Sequence, residues 1–379
     1  MGRACDGNLG PAVSPVDPES ISIALAGDVM IGRGVDQIMR RPGDPTIYEN
    51  WAGSAMRYVE LAESRSGSLP RGVDPAYVWG DTPDRLDSQG VNVRIVNLET
   101  AVTARGSPWP HKGIHYRAHP ANADCLVAGC IDVAVVANNH VMDWSEPGLE
   151  DTLDTLDHLG VQTTGAGRDL EEAWRPTRSG RVVVLGLGSP SSGVDSRWAA
   201  GPDRPGVAVL QVLSRPWVEK VGEALSEGRR PGDVVVVSIH WGPNWGYEIP
   251  SSHRRFARDL IDRAGVDVVH GHSSHHPMGF EVYRDRLILY GCGDLLTDYE
   301  GISGHEEFRP ELGAWYIVTF DGRGGAMKDL SLVPTRVRRF QLTTPSKEEG
   351  EWLARSLEAH GVTSGVRVQA RDDILKVVW

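Results

Sequence analysis

Six short runs, at 21–26, 91–96, 132–137, 182–187, 234–239 and 266–269, are almost wholly apolar and rich in β-branched residues. Continuous runs of this kind fit strands covered on both faces, whereas a half-exposed strand would alternate apolar with polar residues. Helical patterns lie between many of them. In the stretch 146–159, Leu149, Leu153, Leu156 and Leu159 fall on one stripe, with Ser145 as the expected N-cap and Gly160 as the terminator. The segments 254–264, capped by Ser251 or Ser252, and 216–227 read as further amphipathic helices. Strand and helix in alternation predict an α/β protein with covered sheets. Later in the chain, 280–283 and 287–290 flank Arg284-Asp285-Arg286 as a β-hairpin, and 314–320 with 332–340 read as a second antiparallel pair. A helix over 347–360 follows.

The length of 379 residues admits one decorated domain or two ordinary ones. One domain is expected over 21–340, after a disordered leader at 1–20, with the C-terminal helix and tail of 341–379 packed on it. The polar, Gly/Pro-rich stretches 40–75 and 188–206 read as long loops, open to a role as lids.

Charge and cysteine usage exclude several classes. A formal net charge of −12 argues against nucleic acid and against an anionic membrane surface as partner. Cys5, Cys125, Cys130 and Cys292 form neither a CxxC pair nor a dense pattern, so buried free thiols are expected. Neither a secretory h-region nor an apolar run of membrane-spanning length is present, and a cytoplasmic location without a membrane anchor is expected.

The position of the polar residues carries the functional signal. Asp28 follows IALAG, Asn97 and Glu99 follow VRIV, and Asn138, Asn139 and His140 follow VAVVA. His240 follows VVVSI, while His270, His272 and His275 follow VDVV. Ligands of open α/β sheets bind at the carboxyl ends of the strands, so these five ends are expected to converge. Asp28, Glu99, Asn139, His240, His272 and His275 form a mixed oxygen and nitrogen donor set without thiolates, suited to Mn, Fe or Zn. Six donors exceed one tetrahedral zinc and suit two ions about 3.5–4 Å apart. Singly, each residue is also readable as a cap, a turn residue or a satisfied core histidine. Trp241 and Trp245 either wall the pocket or are ordinary core aromatics.

The motifs GDVMIGR (27–33), NLETAVT (97–103), ANNHVMDW (137–144), HWG (240–242), GHSSHHP (271–277) and ILYGCGD (288–294) resemble the CapA family. That family is named for poly-γ-glutamate capsule synthesis and is similar to calcineurin-like metallophosphoesterases. The resemblance runs from about 21 to 333 and implies a four-layer α/β/β/α sandwich of the metallo-dependent phosphatase type. It implies that Asp28 and His275 hold a first metal and Asn139, His240 and His272 a second, with Glu99 bridging. His140 would be the acid that assists the leaving group, and Asn97 and Asp143 would orient the ligands. In WPHKGIHYRAHP (109–120) it places Lys112 and Arg117 towards an anionic substrate, with Arg33 a further candidate; a solvated basic loop is the alternative.

Two departures stand out. Met30 occupies the place of a usual histidine, which predicts a first metal site short of one ligand, and Glu99 replaces a usual aspartate. The expected activity is metal-dependent hydrolysis of a γ-glutamyl amide or a phosphoester. The alternative is a non-catalytic accessory or assembly role in poly-γ-glutamate synthesis.

Overall fold

The computed structural model describes residues 20–322, 325–371 and 373–379. The expected leader, apart from Ser20, lies outside the described residues. All six apolar runs contain strands, sorted into two sheets.

In the first sheet, Ile21–Val29 lies beside Val93–Leu98, followed by Val133–Val135 and Gln162–Thr164, all parallel. On its other side the sheet turns antiparallel, through Leu312–Phe320 and Met327–Arg338. The second sheet has a parallel centre of Val182–Gly188, Val234–His240, Val268–His272 and Arg286–Leu289, with Phe280–Tyr283 closing it as the expected hairpin.

Alternation along the second sheet shows the layering. Val182, Val184, Val234, Val236 and Val268 join the core of the first sheet. Val183, Leu185, Val235, Val237 and Val269 belong to a separate core with Val218, Val221, Phe256 and Leu260. Those last four come from the helices Arg215–Ser226 and Ser251–Ala264, which therefore cover the outer face. Helix Ser145–His158 adds Leu149, Leu153 and Leu156 to the core of the first sheet. The chain is an α/β protein with two sheets packed face to face. Polar bonds cross between them, among them His270 Nε2 to the Ala26 carbonyl at 3.0 Å and Asn97 Nδ2 to His240 Nδ1 at 3.4 Å.

Several expectations need correction. Stretch 40–75 is not a plain loop; it holds a small hairpin of Thr46–Glu49 and Ala52–Ser54 and the helix Met56–Ser66. Only Tyr58, Val59 and Ala62 are buried in that helix, so its apolar stripe is short within a polar run. Ser145 does not cap the following helix: it is the helix's first residue, at φ +62°, and its hydroxyl donates to Ser107 O. The C-terminal helix Lys347–His360 does not end the ordered structure. It is followed by a hairpin, Arg367–Arg371 and Ile374–Val378, whose second strand pairs with Met327–Arg338. Among the described residues, no helix is long and apolar enough to cross a membrane. Cys125 and Cys292 are buried free thiols.

Candidate metal centre

The carboxyl ends of the parallel strands in both sheets meet, and the face-to-face packing brings their polar residues together. Asp28 is fully buried near the end of its strand. Its Oδ1 accepts from Asn97 Nδ2 at 2.7 Å and its Oδ2 from the Ser273 amide at 3.2 Å. From the second sheet, His240 and His272 stand in register on adjacent strands, with their Nδ1 atoms 2.8 Å apart. Asp28, His240 and His272 offer donor atoms that all lie within 4.8 Å of one another. A second group, Asp28, Glu99, His275 and Asp294, meets the same limit. Asp28 is common to both. Glu99, expected as the bridge, lies in the second group with its Oε1 3.7 Å from His240 Nε2. Asn139 Oδ1 is 3.0 Å from His240 Nε2, which puts the asparagine beside the first group.

Asp294 was missed from the sequence, although it ends the motif ILYGCGD. Its strand, Asp294–Leu296, pairs parallel with Ile21–Val29 and sets Asp294 opposite Asp28. The approach depends on Gly27, where an added Cβ would lie 1.9 Å from the Gly293 carbonyl oxygen. Asp294 Oδ1 meets His275 Nδ1 at 3.0 Å, and its buried Oδ2 has no hydrogen-bond partner. Asp294 thus adds to this group a carboxylate donor from another strand, which the sequence reading at Met30 lacked.

Electrostatics agree with a site that takes cations. Burial, then the neighbouring Asp294, raises the Asp28 pKa to about 7. Burial and the charges of Asp28 and Asp294 raise Glu99 well above the ordinary carboxylate range. Burial depresses His240 and His272, each further lowered by a nearby imidazole, so both rings are neutral and keep lone pairs. His275 is also pulled down by burial, but Asp294 outweighs that and leaves it raised. Three buried carboxylates with an orphaned oxygen, beside neutral imidazoles, fit divalent ions; this donor set would otherwise repel itself. Two ring nitrogens bound to one ion at about 2.1 Å and a right angle lie about 3 Å apart. The His240–His272 separation is close to that.

Around the donors, an ordered network holds His140. Its Nδ1 lies 2.6 Å from Asp143 Oδ2, while its Nε2 is 3.9 Å from Glu99 Oε1. Its amide donates to Asn138 Oδ1, and Asn138 Nδ2 donates to Asn97 Oδ1. Burial, then Lys112, pushes the His140 pKa well below 6.5. Asp143 is raised to about 6 by burial, an effect that Lys112 opposes.

The residues expected to face substrate are placed otherwise. Lys112 donates to Asp143 Oδ1 and to the Asn139 carbonyl, so its ammonium braces the loop that carries His140. Arg117 stacks on Trp144 at 3.7 Å and reaches Asp44. Trp241 faces the outer core, stacked on His253 at 4.6 Å with its Nε1 on the Tyr290 carbonyl. Arg33 is buried and engages Asp298, Glu49 and Tyr58 at 2.5–3.1 Å. Exchanging Arg33 for Met would leave Asp298 and Glu49 buried without their cation. A loss of about 3–5 kcal/mol in chemical denaturation is the expected result.

The bacterial capsule synthesis protein family PGA_cap matches residues 22–299 of this sequence. The chain belongs to that family. Within PGA_cap, it is 42% identical to a probable polyglutamine synthesis accessory protein of Mycobacterium tuberculosis, over 96% of this chain and 97% of the relative. It is 26% identical to the PGA biosynthesis protein CapA of Bacillus subtilis, over 76% of this chain and 66% of that protein. These matches bear out the CapA resemblance. A phosphatase structure from Mycoplasma pneumoniae aligns with 83% of the chain and 93% of its own at 10% identity, with a TM-score of 0.43.

Proposed function

We propose that this PGA_cap protein is a metal-dependent hydrolase acting on an anionic small molecule or peptide, through a γ-glutamyl amide or a phosphoester bond. The observation that carries the reading is the pair of buried donor groups sharing Asp28, with His140 Nε2 turned towards Glu99. Asp28, Glu99, Asn139, His240, His272, His275 and Asp294 would hold two divalent ions, for which Mn, Fe and Zn suit the donors. When bound, such a pair supplies a hydroxide nucleophile at neutral pH and neutralises charge on the reacting group.

The chain's own part is proton handling. Asp143 fixes the His140 ring through Nδ1, and the lowered pKa keeps Nε2 unprotonated at neutral pH. His140 then acts first as an acceptor at Nε2 and returns the proton to the leaving group, which modifies the purely acidic role expected from the motif. A cytoplasmic location and the absence of a nucleic-acid partner belong to the same reading; cell fractionation and a binding assay test them.

The test is metal content by mass spectrometry on protein purified without chelators, followed by turnover of phosphoesters and γ-glutamyl amides. About two ions per chain are expected. Exchanging His140 for Ala should keep the ions and lower turnover by about 10²–10⁴-fold. Undiminished turnover in that variant would remove His140 from the mechanism, and failure to bind metal after reconstitution would remove the hydrolase. A second reading, an accessory component of poly-γ-glutamate synthesis, is favoured by the accessory role in the name of the mycobacterial polyglutamine-synthesis relative. A stable partner recovered from membranes, with no turnover on either substrate class, would support it.

A further inference from the structure

Two phenols join the opposite sides of the centre. Tyr116 lies face to face on the His140 ring, with centroids 3.6 Å apart and planes 13° apart. Tyr299 stands edge-on to His275 at 5.2 Å and 88°. Their hydroxyl oxygens are 2.6 Å apart. One ring therefore rests on the residue proposed to move the proton, and the other on a proposed ligand. The charge of Glu99 acts on both phenols and that of Asp294 on Tyr299.

The proton inventory of this pair is incomplete. Each phenol carries one O–H donor, and the bond between the two uses one of the two protons. No second partner exists for either hydroxyl among the described residues. One O–H thus remains to donate. Tyr116 is buried and Tyr299 half-buried.

Behind the rings sits a fixed cation. The Arg33 guanidinium carbon is 4.5 Å from the Tyr116 centroid and 5.6 Å from that of Tyr299. Four of its donor bonds go to Asp298, Glu49 and Tyr58. A cation against the rings draws electron density from them and strengthens the O–H as a donor. Burial keeps both phenols protonated.

We infer that the Tyr116–Tyr299 hydroxyl pair is an oxyanion-binding element of the centre. Its unused O–H donates a hydrogen bond to a substrate oxygen, on a phosphoryl group or on the tetrahedral adduct of an amide. The pair makes and breaks no covalent bond and stays neutral throughout. A donor placed where negative charge grows stabilises the transition state more than the ground state. This inference rests on the hydrolase reading and adds to it the groups that recognise a tetrahedral anion.

Inorganic phosphate is the probe that tests it. Calorimetry on the full chain reconstituted with manganese compares the wild type with Tyr116→Phe, Tyr299→Phe and the double variant. Phenylalanine keeps each ring and its stacking and removes only the hydroxyl. Metal content and melting temperature are measured on every sample. Tyr316→Phe serves as control, because the Tyr316 hydroxyl is buried in the strand Leu312–Phe320 and has no hydrogen-bond partner.

The expected result is phosphate binding weakened about 10- to 100-fold in the single variant that removes the unused O–H, as for loss of one hydrogen bond to a charged group. The ions are retained, and Tyr316→Phe matches the wild type. The double variant should be no weaker than the worse single one, because the two hydroxyls act as a unit. Unchanged affinity in both single variants, with metal retained, overturns the oxyanion element and leaves the metal centre standing. Loss of metal together with affinity shows the tyrosines bracing ligands instead, and also overturns it. A wild type that holds metal but no phosphate refutes the element; one that holds no metal refutes the hydrolase as well. If the double variant fails to fold, the single variants decide.

Discussion

Alanine in place of His272 is expected to lower bound metal by about one ion per chain and turnover by about 10²–10³-fold. His272 is fully buried, and both ring nitrogens are engaged: Nδ1 with His240 at 2.8 Å and Nε2 with Ser238 Oγ at 2.9 Å. Ser238 Oγ also meets His270 Nδ1 at 2.9 Å, and His270 reaches the first sheet through the Ala26 carbonyl. The His272 ring is therefore aimed by a chain of hydrogen bonds that spans both sheets. Its neighbour in the GHSSHHP motif offers a control. His276 packs edge-on against Tyr247 at 4.6 Å and near Phe308, and it belongs to neither donor group. His276→Phe should retain both ions. Mass spectrometry of the two variants, beside their melting curves, separates a lost ligand from a lost fold. Equal metal in His272→Ala and wild type would remove His272 from the centre.

Chelation is expected to make the protein sensitive to alkaline pH. In the metal-free chain, Asp28 titrates at about 7 instead of 3.8. A carboxylate raised on folding contributes stability that is fully present below the unfolded pKa and lost as pH rises through the folded one. Glu99, raised by burial and by Asp28, acts in the same sense, as does His275, held up by Asp294. His140, His240 and His272 are depressed, so they oppose this trend, but only below 6.5 where the unfolded rings take up protons. Above 6.5 the raised groups act alone. Between pH 6.5 and 8.5, Asp28 by itself accounts for about 1 kcal/mol, and Glu99 adds to it. Thermal unfolding in chelator should therefore shift downward by about 1–3 °C across that interval, while metal-loaded protein holds its midpoint. Parallel pH profiles with and without metal would show that the carboxylates are not the site of binding.

How much of this was legible in the sequence follows from where each signal lives. A strand buried on both faces must be apolar along its whole length, so all six runs were visible, and a polar residue ending such a run stood out. Asp28, Glu99, His240 and His272 were found in this way. The helix Met56–Ser66 was hidden because it packs only a short stripe, Tyr58, Val59 and Ala62, inside a polar segment. Asp294 was hidden for a different reason. It begins a strand of three residues, so no long apolar run announced it, and its pairing with Asp28 joins positions far apart in the chain. Tyr116 and Tyr299 carried no local pattern at all.

Charged side chains were the least legible. A basic residue near a ligand motif reads from sequence as a hand held out to an anion. Whether it points into the site depends on which acid the fold sets beside it. Asp298 for Arg33, Asp143 for Lys112 and Asp44 for Arg117 decided that, and each partner comes from a separate segment.

The sequence by itself determined the α/β class, the strand ends that carry donors, and the mixed oxygen and nitrogen chemistry of the site, because backbone burial and ligand type are properties of local residues. Only the tertiary structure decided that Asp28 is shared by two donor groups, that Asp294 joins one of them, and that two distant tyrosines are hydrogen-bonded to each other. Those are distances between elements, set by how two twisted sheets pack against each other, and no local run of residues encodes them.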